Sequence, residues 1–153
     1  MNKNAILFQE YKHKILKEDT FGQRLKKARL IAGYTQYELS KLVGLSKSSI
    51  NNLEAGTQTH LTKANILKIY KYLYKDLVIN DYFYFILNQK NILKKLLKKH
   101  SIIELSKLLE VHESTIYKWY YESCQISTYK FKILQKYIQR VILTHPLDIF
   151  LKL

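Results

Sequence analysis

The segment "YTQYELSKLVGLSKSSINNLEAG", from Tyr34 to Gly56, decides how this chain folds. Its apolar residues come in two short groups at helical spacing, and Gly44 stands between the groups. A glycine in that place readily adopts the positive φ that ends many helices. The segment therefore predicts two short helices joined by a tight turn.

The second of these helices is rich in polar side chains, most of them poor helix formers. The polar run comprises Ser46, Lys47, Ser48, Ser49, Asn51 and Asn52. Ser and Asn weaken a helix because their side chains compete for its backbone hydrogen bonds. Since Ile50 and Leu53 supply the buried side, the polar residues indicate an exposed face selected for something other than helix stability.

Helical patterns continue on both sides of this segment. Thr20 with Gln23, Thr35 with Glu38, and Ser101 with Glu104 have the spacing of capping boxes, and Thr62 is a further cap. The aromatic-rich stretch around Asn80-Asp81 also allows a hairpin, but the apolar period through 86–97 favours helix. The predicted fold is all-α, with an N-terminal helix in 1–19, a first unit in 20–89 and a second unit in 90–153.

The chain contains an internal repeat. "ELSKLVGLSKSSI" (38–50) aligns with "ELSKLLEVHESTI" (104–116) at a shift of 66 residues, and the first five residues are identical. Residues 20–76 hold ten basic and three acidic side chains, and residues 90–140 hold eleven and four. The excess of positive charge is therefore shared equally between the two units.

Composition restricts the partners and the compartment. Twenty-six Lys and Arg against twelve Asp and Glu give a net charge of +14, which predicts a polyanion: nucleic acid, anionic membrane or acidic protein. No apolar run approaches the roughly 20 residues that span a bilayer, and the first residues are too polar for a signal peptide. The single Cys124 suits a reducing cytosol and is expected to be a small buried residue.

Residues 20–74 resemble the Cro/XRE-type helix-turn-helix domain of phage repressors and bacterial regulators. The resemblance is carried by Phe21-Gly22, Leu25, Arg29, Gly33, "TQYELSKLVGLS", Ile50, Asn51 and Glu54-x-Gly56. It implies five short helices and a cytoplasmic, bacterial or phage-encoded transcriptional regulator, a repressor without enzymatic activity or cofactor. Its partner is then a double-stranded DNA operator, and a homodimer or a second protein partner is left open.

The resemblance also implies roles for particular residues. It places Gln36 on a phosphate, and it pairs Arg29 with Glu54 to join two helices. Lys47, Ser48 and Asn52 are implied as base readers, and Ser46, Asn51 and Thr57 complete the expected DNA contacts of the first unit.

The second unit resembles a degenerate copy. Ile102 stands in place of the Gln, Lys95 of the Arg, Tyr120 of the Glu and Glu110 of the turn Gly. Its third helix, "ESTIYKWYYE", resembles the S-x-x-T-[IV]-Y-x-W recognition helices of recombinase-like and homeodomain-like proteins. DNA contacts are then expected from Ser114, Tyr117 and Lys118, with Trp119 inward. The alternative is a packing or dimerisation module with a solvated basic face.

Other chemistry finds little support in the sequence. The five His are not paired at ligand spacing and no Cys-x-x-Cys occurs, so no metal site is predicted. The aromatic residues in 70–85 could stack on single-stranded bases, but core or interface packing is preferred. Two other functions are left open: an antitoxin that binds a toxin and its own operator, and a basic RNA-binding or membrane-surface protein.

Overall fold

The computed structural model describes residues 17–58 and 60–142 of the 153-residue chain. Across these ranges every regular element is helical and no strand is found, so the all-α prediction is confirmed. Most of the N-terminal helix expected in 1–19 lies outside the described residues. Lys17 to Thr20, which are described, are not helical.

The chain divides into two compact units between Asn80 and Asp81. In its described part the first unit has five helices, as the resemblance implied. They are α1 (Phe21–Ile31), α2 (Gln36–Val43), α3 (Lys47–Ala55), α4 (Lys63–Tyr72) and α5 (Lys75–Val78). Leu25, Leu39, Ile50 and Leu53 are fully buried, so the core of the unit lies where α1, α2 and α3 meet.

The described helices of the second unit are α6 (Asp81–Lys99), α7 (Ile102–Leu109), α8 (Glu113–Tyr120) and α9 (Thr128–Ile142). The domain boundary expected between residues 89 and 90 falls inside α6, nine residues after the observed division. The reason is that the start of α6 packs into the second core. The rings of Tyr82 and Phe85 lie 5.5 and 5.2 Å from that of Phe131, and the Tyr82 hydroxyl donates to the Ile126 carbonyl at 2.8 Å.

Local hydrogen bonds set the helix ends, as the sequence indicated. The capping boxes opened by Thr20, Thr35 and Ser101 are all formed. The backbone N–H of Thr35 donates to Glu38, and this bond lowers the pKa of the Glu38 carboxyl. Gly44 ends α2 with a φ of +70°, so the turn into α3 uses a conformation that glycine adopts without strain.

Gly22 brings α1 unusually close to the end of α3. A Cβ at this position would lie 2.3 Å from the Glu54 carbonyl oxygen and 2.7 Å from that of Leu53. Both atoms belong to the backbone, so no side-chain rotation could relieve the overlap. The absence of a side chain at residue 22 therefore allows the helix that carries Glu54 to rest directly on α1.

Candidate nucleic-acid interface

The polar residues of α3 form an exposed face on a helix whose other side is buried. Lys47, Ser48, Asn51 and Asn52 are exposed, whereas Ile50 and Leu53 are fully buried. The division follows from the helical repeat, because residues three or four apart share a face. A convex polar helix of this kind has the width that the major groove of B-DNA admits.

The side chains on this face have the hydrogen-bonding groups that base recognition requires. The Lys47 ammonium can donate to the acceptor atoms of guanine, and the amides of Asn51 and Asn52 can both donate and accept, as adenine requires. The Ser48 hydroxyl can also donate and accept, although its side chain is shorter. The face therefore has hydrogen-bonding groups that can contact base edges.

Ser46 and Thr57 lie at the two ends of α3, and their hydroxyls are engaged within the protein. The Ser46 hydroxyl accepts from the Ser49 N–H at 3.0 Å and caps the helix. The Thr57 N–H and hydroxyl both donate to the Asn52 carbonyl, at 3.0 and 3.2 Å. Both residues therefore fix the length and direction of the polar helix.

An ion pair joins α1 to the end of α3. Arg29 donates to the two Glu54 carboxylate oxygens at 2.5 and 3.1 Å, and a third guanidinium nitrogen donates to the Tyr34 carbonyl at 2.7 Å. The two side chains are only 7% and 5% exposed. The pair is bidentate and shielded from solvent, so it sets the angle of α3 instead of meeting a ligand.

Gln36 extends this pair to the first residue of α2. Its amide nitrogen donates to Glu54 at 2.9 Å and to the Asn51 side-chain oxygen at 3.4 Å. The sequence did not indicate these contacts, because the partners lie 15 and 18 residues away. They hold the amide at the N-terminus of α2, beside the polar face of α3. Backbone N–H groups at a helix N-terminus favour an anion.

The second unit presents a comparable pair of helices. α7 ends at Glu110, which has a φ of +49°, and α8 begins after His112, whose ring accepts from the Ser114 N–H at 3.2 Å. Ser114, Tyr117 and Lys118 are exposed, whereas Ile116 and Trp119 are buried.

A buried glutamine takes the joining role that the ion pair has in the first unit. Gln89 on α6 is 2% exposed. Its amide nitrogen donates to the carbonyls of Trp119 and Cys124 at 2.8 and 3.1 Å, and its oxygen accepts from the Ile126 N–H at 3.1 Å. Sequence reasoning missed this residue. The only signal was a polar residue on the apolar side of a long helix.

Potential metal ligands and the single thiol are the other reactive groups among the described residues. Among them no group of three or more His, Cys, Asp or Glu is placed to hold a metal ion. The expectation that Cys124 is buried is wrong, because the residue lies in the turn after α8 and is exposed. Its backbone carbonyl accepts the hydrogen bond from Gln89. No described helix has the length and apolar character needed to cross a membrane.

The geometry of α2, α3 and their turn is that of a helix-turn-helix. Residues 25–77 match the protein-family model described as helix-turn-helix, and this segment is a domain of the Cro/XRE type. Proteins with such domains are DNA-binding transcription regulators instead of enzymes; they bind double-stranded DNA and often dimerise. Neither the curated proteins nor the solved structures contain a match to the chain.

Proposed function

We propose that this protein is a transcriptional repressor that recognises a specific operator through the exposed face of α3. The observation that supports the proposal is the ordered face of Lys47, Ser48, Asn51 and Asn52, held by a buried ion pair at one end and a serine cap at the other. Repression needs only occupation of an operator that overlaps a promoter, so a binding domain without catalytic groups suffices.

Gln36 and the N-terminus of α2 supply the anchoring contact in this proposal. When DNA binds, the Gln36 amide exchanges its 3.4 Å bond to Asn51 for a phosphate oxygen. Together with the first N–H groups of α2 it binds that phosphate, which fixes the register of α3 in the groove. A phosphate contact carries no sequence information, so Gln36→Ala should weaken binding to operator and random duplex by the same factor. A loss confined to the operator would contradict this assignment.

Selection of bound sequences from a random duplex pool, followed by point substitution, tests base reading. Asn52→Ala and Lys47→Ala should each lower operator affinity by about 1–3 kcal/mol and relax preference at one or two base pairs. Lys26→Ala is the matched control, because Lys26 is exposed on α1 and its loss removes the same charge. Any loss in the control should be equal for all sequences.

The outcome that would overturn the proposal is equally specific. If Asn52→Ala and Lys47→Ala leave the selected motif unchanged at every position, α3 does not read bases. If the wild-type chain enriches no motif and binds all duplexes alike, the protein is not a sequence-specific regulator.

A further inference from the structure

The backbone of the first helix-turn-helix recurs in the second unit at a fixed shift of 66 residues. The capping boxes of Thr35 and Ser101 coincide under this shift. So do the left-handed helix ends at Gly44 and Glu110, with φ values of +70° and +49°. The correspondence extends across the turn, since the side chains of Ser46 and His112 both cap the following helix.

Hydrogen bonds inside the two turns correspond as well. The buried hydroxyls of Ser40 and Ser106 donate to the carbonyls three residues earlier, at 2.6 and 2.8 Å. The N–H groups of Leu45 and Val111 donate to the carbonyls of these same serines, at 2.9 and 3.0 Å. A shared "ELSKL" alone would not require this agreement, because Gly44 is replaced by Glu110. The two turns have the same internal construction.

The face that α8 exposes corresponds to the polar face of α3. Ile50 and Ile116 are both fully buried, which fixes the rotation of each helix. The exposed Ser48, Asn51 and Asn52 then correspond to Ser114, Tyr117 and Lys118, which are exposed too. All three side chains of the second set can hydrogen-bond to base edges or phosphates.

The surface of the second unit favours nucleic acid over protein as its partner. The exposed Lys94, Lys95 and Lys98 line a groove of about 390 Å³ along α6, together with Tyr84, Asn88 and Asn91. Lysine is depleted in protein–protein interfaces, because its strongly hydrated ammonium is costly to bury. Phosphates release counterions when lysines neutralise them, so the same groups favour binding to DNA.

We propose that α8 is a second DNA-reading helix, so that one chain binds a composite duplex site with two unlike parts. The proposal rests on the DNA-binding function proposed for α3. The two parts differ because the first helical positions carry opposite charges: Lys47 donates to guanine, whereas Glu113 accepts from the amino group of cytosine. Tyr117 and Lys118 stand where α3 has Asn51 and Asn52, so the bases that these side chains contact should differ between the two parts as well.

The test uses the full chain, selection from a random duplex pool and footprinting of the enriched sequences. The wild-type protein should select two blocks of preferred bases. Tyr117→Ala/Lys118→Ala should keep the block read by α3, lose base preference in the other block, and bind the composite site about tenfold or more weakly. Both side chains are exposed, and circular dichroism will check that the variant is folded.

Lys136→Ala is the matched control, since Lys136 is exposed on α9 in the same unit. It should preserve both blocks. A double variant with unchanged preference and footprint overturns the proposal, and so does a wild-type protein that selects a single block. If preference is unchanged but sedimentation shows an altered oligomeric state, α8 makes protein contacts and the proposal is again overturned. Failure of the function proposed for α3 is distinguishable, because then Lys47→Ala and Asn52→Ala leave the selected motif unchanged.

Discussion

Gly22→Ala tests how closely α1 must approach α3. In an exposed helix this substitution stabilises by about 1 kcal/mol, because alanine is the better helix former. In this protein the new Cβ would lie 2.3 Å from the Glu54 carbonyl oxygen, and real Cβ contacts are essentially never below 3.0 Å. The two backbones must therefore separate, and the sign of the usual effect should be reversed.

The magnitude follows from the two opposing terms. Forcing an extra methyl group into a packed core costs about 1–3 kcal/mol. The upper end applies to Gly22→Ala because the obstructing atoms are backbone, so the net loss of unfolding free energy is about 2 kcal/mol after the helix gain. For a domain of this size, that corresponds to a fall of roughly 10 °C in melting temperature.

Thermal unfolding followed by circular dichroism measures this change, and Lys26→Ala provides the control. Lys26 is exposed on the same helix, so its replacement should leave the melting temperature nearly unchanged. Operator affinity should fall in Gly22→Ala, since Glu54 holds both Arg29 and Gln36 and moves with the displaced backbone. A Gly22→Ala protein that melts at or above the wild-type temperature would refute the packing argument.

Three further predictions concern stability. Arg29→Met and Glu54→Leu should each cost about 3–5 kcal/mol, because each leaves a buried charge unpaired, while the double variant should cost less than their sum; additive losses in urea titrations would contradict coupling. Glu110→Gly should raise the unfolding free energy by about 1 kcal/mol, because it removes the conformational strain of a non-glycine residue with a positive φ. An unchanged urea midpoint would argue against this strain. Tyr70→Phe should also stabilise by about 1 kcal/mol, as the buried hydroxyl has no partner among the described residues. Burial raises the Tyr70 pKa from 10.0 to about 12, so between pH 10 and pH 12 the unfolded wild type ionises while the folded form does not, and its unfolding free energy falls. The stability advantage of Tyr70→Phe should therefore widen over this range. A difference that stays constant with pH would exclude this linkage.

Features set by neighbouring residues could be predicted from the sequence. The capping boxes at Thr20, Thr35 and Ser101 depend on side chains three residues apart, so their spacing is visible in the chain. The turn at Gly44 likewise follows from the backbone freedom of one residue. The burial of Ile50 opposite a polar face follows from helical period.

Features that depend on distant partners could not be predicted in this way. Gln89 bonds to groups 30, 35 and 37 residues away, and nothing near it in sequence marks them. The contacts of Tyr82 and Phe85 with Phe131, which join the start of α6 to the second unit, are likewise established only by folding. The exposure of Cys124 could not be predicted either, because cysteine is usually buried, whereas this one lies in a turn after α8.

The chain has a single tryptophan, and this residue lies in the second unit, on α8. Trp119 is 4% exposed beside the Gln89 network, so its emission should shift towards longer wavelengths when that core admits water. Fluorescence excited at the red edge, where tyrosine does not absorb, thus reports on the second unit alone, whereas dichroism records the helices of both. One denaturation followed by both signals reveals whether the two units melt together, and the same measurement with operator present reveals which of them the DNA protects.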